Sequence, residues 1–114
     1  MSVRLTQDAE YLLCTLYQAY TLRRKNGESI EDAKFFGGSE YIQATYIQTW
    51  PTDDIDEAAR ELHRKGLMCN LFSDDSLNIG ALSDDGIMYM EHRFGDSYDQ
   101  LVGRIAALRT AIFG

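Results

Sequence analysis

The chain has little that would hold a polyanion, a metal ion or a membrane. Of its 114 residues 18 are acidic and 11 are lysine or arginine, a formal net charge of -7 at pH 7. Nonspecific nucleic-acid affinity comes from cations that release counterions from phosphate, so only a locally basic face would support it. No apolar run approaches the ~20 residues that span a bilayer. The two cysteines, Cys14 and Cys69, have no C-x-x-C spacing and no histidine at metal-ligand intervals, which argues against zinc. They fit a reducing compartment, with both thiols buried or half-buried. The segment from Met1 to Asp8 lacks the basic stretch, apolar run and small-residue cleavage site of a secretory signal, and the expectation is a cytoplasmic protein. The single proline, Pro51, leaves the rest of the chain free to form helices.

What is present is a series of capped helices. Thr6 stands as an N-cap before Asp8 and Glu10, and Ala9, Leu12, Leu13, Leu16 and Tyr20 recur at helical spacing. Arg23, Arg24 and Lys25, followed by Asn26-Gly27, end this helix. Tyr11 and Gln18 fall opposite the apolar stripe, with Cys14 to one side, which makes that face a candidate partner surface. Ser29 with Asp32 predicts a short helix over residues 30–36, with Phe35 and Phe36 entering the core and Gly37-Gly38 stopping it. Residues 39–50 fit neither a helical period nor a strand period, and helix is the expectation there.

Pro51 precedes the next helix, which Thr52 is expected to cap and which runs to Gly66. Ile55, Ala58, Ala59 and Leu62 make its buried stripe, while Asp53, Glu57, Arg60, Glu61 and Arg64 project the other way. Residues 67–72 and 77–82 are apolar runs joined by Ser73-Asp74-Asp75-Ser76, a hairpin pattern. Ser83 caps a helix whose inward residues are Ile87, Met90 and Phe94. After Gly95, Ser97 opens a last helix in which Leu101, Ile105, Leu108 and Ile112 lie near heptad spacing, a seam suited to pairing with a second copy. The predicted class is mainly α with a small β-hairpin (α+β). It forms one domain over 1–114, with its core in 6–94 and the helix at 97–113 as a candidate dimerisation element.

The order of elements, with an acid-capped helix ending Arg64-Lys65-Gly66-Leu67, a hairpin and then Leu82-Ser83-Asp84-Asp85-Gly86-Ile87, resembles the winged helix-turn-helix superfamily over residues 6–94. With its C-terminal helix the chain is similar to the small YjcQ-type winged-helix proteins of Gram-positive bacteria and their phages. The resemblance implies a winged helix-turn-helix with an additional C-terminal helix. It makes residues 52–65 the recognition-helix equivalent and 73–76 the wing tip, and it implies a DNA-binding transcriptional regulator. In such folds the helix reads base edges while cations there and in the wing hold phosphates. This sequence places Asp53, Asp54, Asp56, Glu57 and Glu61 on the helix, and Asp74 and Asp75 at the tip.

Two readings therefore stand. In the first, Arg60, Arg64 and Lys65 contact DNA from the recognition helix, and Arg23, Arg24 and Lys25 contact its backbone. Yet Glu57 with Arg60 and Glu61 with Arg64 or Lys65 are spaced as ordinary surface pairs. Cations at a helix C-terminus are also favoured by its dipole at ~0.3–1 kcal/mol each. In the second reading the chain is an acidic winged-helix module, phage-borne or DNA-mimicking, that engages a protein. Tyr11, Tyr46, Trp50, Tyr89 and Tyr98 exceed what the inward stripes hold, and of these Tyr11, Tyr46 and Trp50 would serve as anchors. Leu101, Ile105, Leu108 and Ile112 would form a homodimer seam.

No enzyme is expected, because His63 and His92 sit beside apolar stripes with no nucleophile at catalytic spacing. No cofactor or metal is expected either, because Asp53-Asp54 and Asp84-Asp85-Gly86 lack the alternating oxygen ligands of a calcium loop.

Overall fold

In the computed structural model, which describes residues 3–114, four of the five hydroxyls expected to cap helices do so. Met1 and Ser2, the first residues of the expected 1–114 domain, lie outside the described residues. Thr6 Oγ1 accepts from the Ala9 amide (3.2 Å), Ser29 Oγ from Asp32 (3.1 Å), Ser83 Oγ from Gly86 (2.9 Å) and Ser97 Oγ from Gln100 (3.3 Å). These bonds start α1 (Gln7–Lys25), α2 (Ile30–Ala33), α5 (Asp84–Phe94) and α6 (Tyr98–Phe113). Pro51 rather than Thr52 is the cap residue of α4 (Thr52–Arg64), and no side chain bonds there. Gly66, at φ +77°, ends that helix in the left-handed conformation a side chain would resist. Residues 39–50 resolve into α3 (Ser39–Thr45) and a turn, which is why no single period fitted them.

The sheet has three antiparallel strands in the order β1-β3-β2, one more than the expected hairpin. β2 (Leu71–Ser73) and β3 (Ser76–Ala81) form the hairpin, with a bulge where Leu71 faces Ile79 and Phe72 faces Leu77. Asp74 and Asp75, at φ 52° and 64°, make the two-residue turn of type I′ whose twist suits a tight hairpin. The added strand is β1 (Phe35–Phe36), which was expected to be helical and instead pairs with Ala81 and Gly80 of β3. Gly38 permits the approach, since a Cβ there would lie 2.7 Å from the Leu77 carbonyl oxygen. Phe36 is buried as expected; Phe35 is exposed, because strand geometry turns neighbouring residues to opposite faces.

α1 lies at the centre, and α2, α4, α5 and α6 all pack on it. Its presumed outer face is buried: Tyr11 and Cys14 join the same core as Leu12, Leu13 and Leu16. What covers them is α6, whose Leu101, Ile105 and Leu108 are buried and whose Ile112 packs against the core. The stripe read as a homodimer seam between first and last helices thus closes within one chain. Cys69, expected to be at least half-buried, is exposed. Among the described residues no helix is long and apolar enough to cross a membrane. The fold is mostly helical with a small antiparallel sheet and a C-terminal helix, the α+β class expected.

Candidate functional site

The surface where a winged helix would act is built from α4 and the hairpin, and four side chains of α4 and the hairpin lock the two together. Asp56 is buried, and its Oδ1 accepts from the Leu77 amide at 2.9 Å while Oδ2 meets Ser76 Oγ at 3.5 Å. Asn70, also buried, donates from Nδ2 to the Ala59 carbonyl (3.0 Å) and accepts at Oδ1 from the Ala81 amide (3.3 Å). His63 Nδ1 accepts from the Asn70 amide at 3.1 Å, with its ring edge-on to Phe72. Arg60 donates to the Asp75 carbonyl at the hairpin tip and to Glu57 Oε2 (3.2 Å), its guanidinium 5.5 Å from the Phe72 ring centroid.

These contacts change what the helix offers. Arg60, the cation expected to enter a groove, is engaged by the hairpin. Glu61 is engaged from the other side, its two carboxylate oxygens accepting from the Thr6 amide and hydroxyl at 2.8 Å each, so that α4 holds the start of α1. Burial and the neighbouring Asp54 and Glu61 carboxylates raise the Asp8 carboxyl above its ordinary range, a mark of crowded negative charge at this corner. Asp53, Asp54 and Glu57 stay exposed on α4, and so do Asp74 and Asp75 on the tip. Arg64 and Lys65 are exposed at the far end of the helix, and among the described residues neither makes an ion pair.

The second basic cluster does not join the first. Thr6 contacts Glu61, whereas Arg23, Arg24 and Lys25 close the opposite end of α1, a 19-residue helix about 28 Å long. Arg23 is engaged there by neighbouring groups of the chain. It donates to the carbonyls of Ala33 (3.2 Å) and Phe35 (2.6 Å) and to the Tyr46 hydroxyl (3.1 Å), with its guanidinium over the Phe36 ring. Arg24 donates to the Glu28 carbonyl at 2.7 Å, and Lys25 is exposed.

The aromatic residues taken as partner anchors are likewise brought together inside the chain. Tyr11 and Trp50 rings lie 5.5 Å apart, both buried, with Phe113 completing the cluster. Tyr46 is half-buried against Phe36. One exposed apolar patch lies on the outer face of the sheet, where Leu71 (63% exposed), its partner Ile79 and Phe35 stand together. Alternation does not mark Ile79, since Leu77 and Ala81 on either side of it are buried, and Phe35 was hidden until β1 was known to be a strand.

A further cluster was missed entirely. Glu10, buried on α1, accepts from Arg104 Nε and Nη2 at 2.8 Å each and from Arg93, tying α5 and α6 to α1. Hydrogen bonding from Arg104 first, then Arg93, holds its carboxyl below the usual glutamate range against the opposing effect of burial. Among the described residues no group of three His, Cys, Asp or Glu side chains is placed to hold a metal ion. Comparison with known protein families, with curated proteins and with solved structures finds no match to this chain.

Proposed function

We propose that this chain is a non-catalytic binding module of winged-helix type whose ligand is a protein, with α4 and the hairpin meeting a basic surface on the partner. The observation that carries this reading is the engagement of Arg60 by Asp75 and Phe72, which withdraws the central cation of α4 and leaves Asp53, Asp54, Glu57, Asp74 and Asp75 outermost. Carboxylates at those places repel phosphate where a DNA-reading helix and wing would need attraction. The outer sheet face, with Leu71, Ile79 and Phe35 beside this acidic edge, supplies the apolar area that protein interfaces use.

The alternative is a DNA-binding regulator. In its favour Arg64 and Lys65 are exposed and unpaired among the described residues at one end of α4. The two readings differ in sign and separate by charge reversal. The wild-type chain should not bind mixed-sequence duplex DNA at low salt. Asp53→Lys combined with Glu57→Lys, Asp74→Lys and Asp75→Lys should acquire binding that falls steeply as salt rises. DNA binding by the wild type that Arg64→Ala with Lys65→Ala abolishes would instead establish the regulator.

A further inference from the structure

A recess of about 370 Å³ opens between the middle of α1, the end of α3 and α6, within the size range of small-molecule sites. Its wall carries two guanidiniums, Arg23 and Arg109, and no carboxylate, in a chain with 18 acidic residues. Elsewhere the guanidiniums of Arg60, Arg93 and Arg104 meet carboxylates. Here Arg23 contacts neutral carbonyl and hydroxyl oxygens and the Phe36 ring, and Arg109 only the Tyr11 hydroxyl, at 3.4 Å. The larger groove of about 540 Å³ beside α5 differs in kind, because Glu91 and Asp96 there balance Arg24 and Lys25.

A second observation bears on the same recess. Thr15 belongs to its wall and is 9% exposed, and its hydroxyl has no hydrogen-bond partner. Two other helical threonines return their hydroxyls to a carbonyl one turn back, Thr21 to Gln18 and Thr110 to Ala106. Buried polar atoms are rarely left so, and an unpartnered one calls for a ligand or a functional reason. The remaining wall is mixed: Ala19, Leu22 and Ile105 are apolar, and Gln18, Asn26, Thr45 and Tyr46 add neutral polar groups.

We propose that this recess binds a small organic carboxylate, its anionic head held by Arg109 and Arg23 with the Thr15 hydroxyl, and its hydrocarbon body against Ala19, Leu22 and Ile105. The fork of a guanidinium matches a carboxylate in two parallel hydrogen bonds, and Arg109, with only one long contact, has its donors available. The apolar part of the wall, Ala19, Leu22 and Ile105, favours an organic acid over a bare inorganic anion. The site lies away from the acidic face of α4 and does not depend on which macromolecule that face meets.

Sodium benzoate is the probe, added to the whole protein while backbone amide resonances are followed by NMR. Saturable shifts centred on Thr15, Ala19, Ile105 and Arg109 are expected. Arg109→Gln, on an exposed stretch of α6, should weaken them at least about tenfold, the loss of a charge-assisted pair. Thr15→Val should weaken binding several-fold without lowering the melting temperature, since the hydroxyl has no internal bond to lose. Arg64→Gln should change nothing. Absence of saturable shifts at millimolar benzoate, binding indifferent to Arg109→Gln, or inorganic phosphate binding as tightly as benzoate would each overturn the assignment.

Discussion

Asp56, 3% exposed in the middle of α4, accepts a hydrogen bond from the Leu77 amide at 2.9 Å, and this bond fixes the hairpin to the helix. Asp56→Ala leaves that amide buried with no acceptor, a loss of about 1–3 kcal/mol. Asp56→Asn keeps an acceptor and should lose less. Urea unfolding measures both, and hydrogen exchange at Leu77 should rise in Asp56→Ala more than exchange at amides of α1. Equal stability of Asp56→Ala and wild type would mean that Asn70 and Arg60 hold the hairpin without it.

Glu10 makes stability depend on pH in a definite direction. Its carboxyl is held low by Arg104 first and by Arg93, so its contribution is fully present above the ordinary glutamate value of 4.5 and is lost as pH falls through the depressed value. The stability gap between wild type and Glu10→Gln should therefore be largest near neutrality and close in acid below about pH 4.5. Asp8, raised by burial, Asp54 and Glu61, acts in the opposite sense, so the two proteins must be compared at each pH. Thermal melts across this range give the gap directly. A gap that persists unchanged in acid would show that the ion pairs are not its source.

The two thiols should react very differently. Cys69 is exposed, whereas burial pushes the Cys14 thiol up to about 12. Iodoacetamide should modify Cys69 in the native protein and Cys14 only after unfolding in urea, as mass spectrometry of the peptides would register. Native alkylation of Cys14 would mean that α6 leaves α1 readily.

Ile105 tests where the last helix belongs. It is buried on α6 against the core, so Ile105→Ala should destabilise the chain by about 2–5 kcal/mol while its elution volume in gel filtration stays unchanged. A fall in apparent mass at unaltered stability would restore the seam between two chains.

Local chemistry was legible because it is encoded within a few residues. The hydroxyl caps at Thr6, Ser29, Ser83 and Ser97, the stripe Ile55, Ala58, Ala59 and Leu62, and the turn at Asp74 and Asp75 all stand where spacing placed them. What escaped depends on partners distant in sequence. Phe35 becomes a strand residue only because Ala81 is there to pair with it, and Tyr11 turns inward only because α6 covers it. The same holds for the candidate site. From its neighbours on α4, Arg60 reads as the surface partner of Glu57, and its capture by the hairpin carbonyl of Asp75 is a contact 15 residues away. Glu10 likewise looked like a residue favouring a helix dipole, while Arg93 and Arg104 lie 83 and 94 residues further on.

Fluorescence anisotropy of a labelled mixed-sequence duplex, titrated with the wild-type chain at low salt, tests most directly whether the acidic face of α4 and the hairpin excludes DNA. The expected result is no saturable rise, with binding appearing only after the four lysine substitutions at positions 53, 57, 74 and 75. A saturable rise with the wild type, weakening steeply as salt is added and lost in Arg64→Ala with Lys65→Ala, would contradict it.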